Sequence, residues 1–513
     1  MKDSPFASRS VTILLVAAAT VIGGVVRFAA PLASNFPLND GGLFYVMIQA
    51  LQASHYQLPA QFFYNGISIP FTYPPLGFYL TGFLSDLLDQ NLLDVLRWLP
   101  PLVSAATIPA FYTLAKRVSR THGIPILATF VFALLPRDFD WLIMGGGVTR
   151  AFGFLFAILT VACAWSLFST SQRRFLFWAS IWTALTVLTH PEAALQTVIA
   201  VLVMFLFQRS RANVVRALLV ALTVILLTSP WWITSLTRHG VDPFLAAASA
   251  SAGNRSDLVN VVTRFVLLFR FEFADEAFLP LLTVFGLIGF FAAIGRKDWF
   301  LPAWIIASQL IEPRSAPLFV CIPLAILSAQ GLAEFVLPAL DRTGAKRLSA
   351  VFLGLLLAYS IASALSVTST VARDITVQPA EREAMQWVEQ NTPPESVFLV
   401  LTNRLPLRDP ISEWFPVLAG RVSPTTVYGY EWIAQPPFAF RVDAYNSLQA
   451  CASQNVDCID AWSAKYEVRF THILFSNLQN KGLSASPLQI RLEQDPAYQL
   501  VYQTPEISIY QQR

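Results

Sequence analysis

Asp40 stands in N-F-P-L-N-D-G-G-L-F-Y, directly after the first apolar run of the chain. An acid held at the face of a membrane is costly and usually has a task. It can accept a proton from an attacking nucleophile or hold a divalent cation through its oxygens. Gly41 and Gly42 follow, and glycines let the backbone turn sharply or approach a ligand closely. The competing role is a helix cap, because Asn39 or Asp40 precedes the apolar stretch Leu43–Leu51 and both residue types cap well. The same segment runs on through I-P-F-T-Y-P-P-L-G-F-Y-L, which carries Tyr73 and ends at Leu80.

Other polar residues interrupt apolar segments. Asp138 and Asp140, in P-R-D-F-D-W, can supply a second acid, or they are solvated loop charges. Next comes G-G-G-V-T-R, Gly145 to Arg150, where exposed amides can cradle an anion and Arg150 opens the next apolar run. His190-Pro191-Glu192 breaks two apolar segments, and His190 is either a ligand-facing or an ordinary interfacial histidine. In Glu312-Pro313-Arg314-Ser315, Arg314 can bind phosphate oxygens bidentately, pair with Glu312, or snorkel to the lipid interface. The sequence holds no cluster of His and Cys, no P-loop and no G-x-S-x-G, so soluble-type nucleotide chemistry has no support.

The elements that must position these residues are membrane helices. Hydrophobic residues make up 55% of the chain, charged residues 13%, and mean hydropathy is +0.53. That places the chain among polytopic membrane proteins, and a formal charge of +3 implies no nucleic-acid partner. The first apolar run, Val11 to Ala30, follows Lys2 and Arg9 as a signal peptide would. Its length and the many later spans favour a crossing. Hydropathy reads spans at 11–30, 96–115, 123–137, 150–169, 175–190, 191–208, 214–233, 277–295, 299–312, 316–338 and 348–370, about eleven. Pro74–Leu88 is apolar but short, and reads as an interfacial helix. With that assignment Lys2, Arg9, Lys116, Arg117, Arg120, Arg173, Arg174, Arg209, Arg211, Arg216, Arg296, Lys297, Arg342, Lys346 and Arg347 all fall on the cytoplasmic side. Asp40, Asp138, Asp140, Glu192 and Glu312 then share the opposite face, with the loop 31–95.

Residues 1–372 form the expected transmembrane domain and 373–513 a smaller α/β domain on the outer face. There the composition turns polar, with an amphipathic helix over Glu381–Asn391, strands at Ser396–Thr402, His472–Phe475, Gln499–Gln503 and Ile507–Gln511, and a helix over Asp460–Val468. Cys163 and Cys321 lie in apolar segments. Cys451 and Cys458 lie in the polar part, where an extracytoplasmic location permits a disulfide and two free thiols are the alternative.

Three features carry a family resemblance. They are N-D-G-G with Asp40 after the first span, Y-P-P-L over Tyr73–Leu76 opening an interfacial helix, and the layout of spans followed by an outer domain. The chain resembles the GT-C superfamily of membrane glycosyltransferases, with Y-P-P-L similar to a segment of the aminoarabinose- and mannosyltransferase-like members. Glu413–Arg421 (E-W-F-P-V-L-A-G-R) and Tyr428–Trp432 (Y-G-Y-E-W) resemble poorly characterised bacterial members. Two departures leave the acceptor open: the W-W-D-x-G motif of oligosaccharyltransferases is missing, and Asp40 lacks the paired acid of protein mannosyltransferases.

The resemblance implies an inverting transfer of sugar from a polyprenyl-phosphate donor to a lipid, glycan or protein acceptor, at the outer face of the inner (plasma) membrane. Asp40 would deprotonate or orient the acceptor. Arg314, or next Arg150, would face the leaving phosphate, and Tyr73 would shape the acceptor side. Asp138 or Asp140 would assist Asp40, and Asp40 and Asp140 are the candidate ligands of a divalent cation, Mg or Mn, which some members of the superfamily use. His190 and Glu312 join the substrate-binding set. Two other functions compete: a transporter or flippase for lipid-linked glycans, which predicts charges in mid-span, and a non-catalytic scaffold.

Overall fold

The computed structural model describes residues 9–119, 121, 123–252, 274–342, 347–476 and 486–513. Of the basic residues that set the expected sidedness, Lys2, Arg120 and Lys346 lie outside them. The chain is mostly helical. Five helices are long and apolar enough to cross a membrane: Arg9–Ala33, Gly147–Thr170, Arg211–His239, Ala316–Asp341 and Leu348–Asp374. Shorter apolar helices include Gly123–Leu134, Pro191–Phe207, Leu281–Gly295 and Phe300–Ile311. Leu92–Val118 is as long as the first group, but Asp94, Arg97, Lys116 and Arg117 dilute its apolar character.

The helices sort by what surrounds them. Gly147–Thr170 is buried along most of its length between Leu92–Val118, Arg173–Val187 and Pro191–Phe207. Arg211–His239 instead exposes Leu218, Leu222, Ile225 and Leu226, an apolar face that suits lipid and not water. The first helix buries Ala19, Gly23, Val26, Arg27 and Ala30, a stripe at helical spacing.

Arg27 is a full charge inside that stripe, and its burial is compensated. Its guanidinium meets Asp138 Oδ1 at 2.9 Å and donates to Ser104 Oγ at 3.0 Å and to the carbonyls of Ala133 and Gly23 at 2.8 and 3.1 Å. Both partners are wholly buried. The pair ties the first helix to the end of Gly123–Leu134 and to the start of the connection 135–146, which precedes Gly147–Thr170.

Residues 34–91 fold as a compact cap. Helix Gly42–Ala53 leads into a hairpin of β1 (Gln61–Tyr64) and β2 (Ile67–Pro70), then helix Leu76–Leu88. Asn65 and Gly66 close the hairpin with φ of 51° and 75°, the geometry an Asn-Gly two-residue turn favours. Beyond residue 378 a mixed sheet runs in the order β3 (Phe398–Leu401), β4 (His472–Ser476), β6 (Ile507–Gln512) and β5 (Tyr498–Gln503). β3 and β4 are parallel, and the other pairs are antiparallel. Helices Pro379–Asn391, Pro410–Leu418, Phe438–Cys451 and Val456–Tyr466 accompany it, and a disulfide joins Cys451 to Cys458.

The cap and this C-terminal part are stitched together. Asn39 N–H donates to the Ile375 carbonyl at 2.6 Å, and Asn65 exchanges two 2.8 Å hydrogen bonds with the Ser423 backbone. The connection 135–146 closes on the same segment: Gly145 N–H donates to Leu38 O at 2.9 Å. A Cβ at Gly145 would stand 2.1 Å from the carbonyl oxygen of Asp40, so only glycine permits this approach.

Two substitutions check these contacts. Arg27→Met strands Asp138 in the bundle, and should lower stability by about 3–5 kcal/mol, read as a fall in the thermal midpoint of detergent-purified protein. Gly145→Ala should separate the connection from the loop of Asp40, read as increased protease cleavage around residues 136–146 at unchanged expression.

Candidate functional site

Asp40 lies on the wall of a cavity of about 680 Å³, within the range of small-molecule sites. The cavity is shared by the loop of Asp40, Tyr73, the connection 135–146, the start of Gly147–Thr170, the turn at His190, residues 312–319 and a C-terminal segment. It therefore gathers Asp40, Tyr73, Arg150, His190, Glu192, Glu312 and Arg314.

Asp40 is held by a fork. Arg150 Nη1 meets Oδ2 at 2.7 Å and Nη2 meets Oδ1 at 2.9 Å, while Gly146 N–H donates to Oδ1 at 2.9 Å. Arg150 also donates from Nε to the Trp141 carbonyl and lies 5.6 Å from the centre of the Trp141 ring. Bidentate geometry of this kind fixes both planes at once. Oδ2 accepts one hydrogen bond among the described residues and keeps a lone-pair direction, since each carboxylate oxygen has two.

Neither Asn39 nor Asp40 caps helix Gly42–Ala53. The N-cap is Gly41, at φ 128°, with no side-chain bond of its own. The cap comes from across the chain: Glu413 Oε1 accepts the N–H groups of Gly41 and Leu43, each at 3.0 Å. The Glu413 carbonyl takes the Tyr64 hydroxyl at 2.6 Å, and Trp414 Nε1 donates to the Asn39 carbonyl at 3.0 Å. Burial pushes the Glu413 carboxyl well above the usual carboxylate range, and nearby Asp40 adds to it.

Asp138 and Asp140 have other partners. Asp138 belongs to the Arg27 pair and does not line the cavity. Asp140 accepts the Trp141 N–H at 2.8 Å and stands 3.8 Å from Arg137, which is itself 2.6 Å from Asp275. Burial pushes the Asp140 carboxyl up to about 7, against the pull of Arg137. It too is absent from the cavity wall. These two acids position the connection that carries Trp141 and Gly146.

Tyr73 packs its ring against Phe44, Phe78 and Trp432, with centroids at 5.3, 5.4 and 5.5 Å, and its hydroxyl is 3.3 Å from Thr149 Oγ1. His190 caps helix Pro191–Phe207, its Nδ1 accepting the Ala193 N–H at 3.3 Å. Arg314 pairs with Glu192 at 3.2 Å and donates to Ser251 Oγ at 3.0 Å. Glu312 is buried on the cavity wall, and its carbonyl accepts the Gln196 amide at 2.8 Å.

Sequence reasoning passed over Arg137, Trp141, Arg408, Glu413, Tyr428, Glu431 and Trp432, all on the same wall. A signal existed for four of them: Glu413 stands in E-W-F-P, and Tyr428, Glu431 and Trp432 in Y-G-Y-E-W, acids embedded among aromatics in an otherwise polar region. Arg408 lies over the Trp141 ring at 5.4 Å, a contact between distant segments that leaves no trace in the sequence.

The surroundings of Asp40 and Asp140 do not fit a divalent cation. Asp40 faces a guanidinium and an amide, Asp140 faces Arg137, and among the described residues no three His, Cys, Asp or Glu side chains converge as ligands. The expectation of Mg or Mn held by these two carboxylates meets this arrangement as a mismatch of donor chemistry.

No protein-family profile and no curated relative matches the sequence. Solved structures do match. The oligosaccharyltransferase of Archaeoglobus fulgidus tethered with an acceptor peptide aligns with a TM-score of 0.62 and 15% identity, over 92% of this chain and 70% of that one. Another structure of that enzyme is a complex with Zn and sulfate. ArnT from Cupriavidus metallidurans bound to undecaprenyl phosphate aligns with a TM-score of 0.54 and 14% identity, over 98% of both chains. Arabinofuranosyltransferase AftD from Mycobacteria aligns with a TM-score of 0.54 and 15% identity, over 97% of this chain and 39% of that one. The chain thus has the fold of GT-C membrane glycosyltransferases.

Proposed function

We propose that this protein is a membrane glycosyltransferase that moves a sugar from a polyprenyl-phosphate donor to an acceptor on the extracytoplasmic face. The observation that carries the reading is the single cavity in which Asp40, Arg150, Arg314, Tyr73 and His190 meet between apolar helices and a polar C-terminal part. Its fold relatives include one solved with a dolichol-phosphate and an inhibitory peptide, and one solved with undecaprenyl phosphate.

The apolar end of the cavity is formed by Leu195, Trp231, Phe244, Leu318 and Phe319. It suits the isoprenoid tail of a donor entering sideways from the bilayer. Arg314, partly exposed and engaged through Nε by Glu192 and through Nη1 by Ser251, offers the rest of its guanidinium to the phosphate, where charge-assisted bonds stabilise the leaving group. Arg150 holds Asp40 and brings positive charge to the reacting centre. Asp40 uses the open direction of Oδ2 to orient the acceptor hydroxyl or amine. Tyr73 and Trp432 present ring faces to the sugar or acceptor. Attack at the anomeric carbon opposite the leaving phosphate inverts the configuration.

The same reading places about eleven helices across the inner (plasma) membrane, with residues 1–372 as the membrane domain and 373–513 as an α/β domain outside the cytoplasm. Leu76–Leu88 lies at the interface, showing Leu80, Phe83, Leu87 and Leu88 outward. The Cys451–Cys458 disulfide supports an oxidising compartment.

Two measurements test the proposal. Purified protein given radiolabelled polyprenyl-phosphate hexoses and pentoses with a membrane extract as acceptor should form labelled product. Asp40→Asn should lower kcat by about 100-fold or more, and normal turnover at normal expression would sink the role of Asp40. Alkylation of denatured, unreduced protein should label Cys163 and Cys321 alone, with Cys451 and Cys458 appearing only after reduction.

A further inference from the structure

Glu413 is 2% exposed, yet it stands on the cavity wall beside Asp40. Its two oxygens have different fates. Oε1 is saturated by the amides of Gly41 and Leu43. Oε2 is buried and accepts no hydrogen bond among the described residues. A buried carboxylate oxygen left open is costly, so an arrangement that keeps it open asks for a partner supplied from outside. Asp40 differs, because both of its oxygens are already engaged by Arg150 and one also by Gly146. Of the two carboxylates flanking Gly41, both on residues of the cavity wall, one is held by an arginine and the other has a buried oxygen with no hydrogen-bond partner among the described residues.

We propose that Glu413, contributed by the C-terminal part of the chain, is the catalytic residue that takes the proton from the acceptor. This rests on the transferase reading above. In the step, the acceptor oxygen or nitrogen attacks the anomeric carbon and forms the new glycosidic bond. The bond from that carbon to the phosphate oxygen breaks, and its electron pair leaves with the polyprenyl phosphate. The acceptor proton passes to Glu413 Oε2, while Asp40, held by Arg150, keeps the acceptor oriented.

The groups that face Glu413 favour this division. Asp40 lies on the preceding loop, Tyr64 on β1, and Tyr428 and Glu431 on the segment behind the cavity wall. Glu381 on the packed helix Pro379–Asn391 is taken by Arg404. No described cation pairs with Glu413, and negative neighbours with burial raise its proton affinity. A base with raised affinity is a stronger acceptor near neutral pH than an ordinary carboxylate. Its ionised form is lost as pH falls through the raised value, so the acid limb of transfer should lie above the usual carboxylate range.

The experiment uses the full-length protein in nanodiscs with the radiolabelled polyprenyl-phosphate sugar that the wild type transfers. Glu413→Gln is the informative variant, because the glutamine carbonyl can still accept the Gly41 and Leu43 amides while the proton acceptor is gone. Expected are a fall in kcat of about 100-fold or more, a donor KM within about threefold of wild type, an unchanged thermal midpoint and loss of the acid limb. Glu413→Asp keeps a carboxylate and should recover part of the rate, with its acid limb displaced. Wild-type kcat and an unaltered acid limb in Glu413→Gln would overturn the assignment. So would equal losses of rate and thermal midpoint in both variants, which would leave Glu413 as a helix cap. A wild type that moves no sugar from any donor rejects the transferase reading itself, whereas an active wild type with an active Glu413→Gln rejects only the role of Glu413.

Discussion

A carboxylate at the edge of an apolar bundle needs a counter-charge, and the fork between Asp40 and Arg150 supplies it. The two residues are 110 positions apart. For the fork to form, the loop after the first helix and the start of Gly147–Thr170 must be brought within hydrogen-bond distance. The tight approach of Gly145 to the Asp40 backbone does that from one side, and the Glu413 and Trp414 bonds to residues 39–43 do it from the other. The cavity is the space that these three segments leave between them.

A second buried pair supports the first. Arg27 and Asp138 are wholly buried, and Arg27 also recruits Ser104 Oγ and the carbonyls of Gly23 and Ala133. Their mutual distance of 2.9 Å at full burial makes the pair costly to break. Its cost is repaid in placement: it fixes where the connection 135–146 begins, and so where Trp141 and Gly146 end. The charge in the first helix is thus bound up in structure and offers no foothold for a passing ion.

Much of this was legible in the sequence, for identifiable reasons. Apolar runs of helical length are a strong signal, and breaks in them at Asn39-Asp40, Gly145–Arg150, His190-Pro191 and Glu312–Ser315 pointed to residues that do share one cavity. Partners were not legible. Asp138 and Asp140 looked like companions of Asp40 because hydropathy read all three on one face of the membrane, but which acid faces which arginine is set by side-chain direction within one turn. Residues 136–138 form a 3-10 turn that sends Asp138 inward to Arg27. Glu192 displaced Glu312 as the partner of Arg314 for a similar reason. Glu413 was visible only as an acid among aromatics in E-W-F-P; its partner was not legible, since its role depends on a contact across 372 positions.

That last separation has a meaning in time as well as in space. The helices of the bundle, and with them Asp40 and Arg150, are synthesised before residue 413. Until then helix Gly42–Ala53 has no acceptor for its first amides and the cavity has no roof. The centre is therefore assembled last, when the C-terminal part closes over the loop of Asp40, and a nascent or truncated chain lacks a finished site.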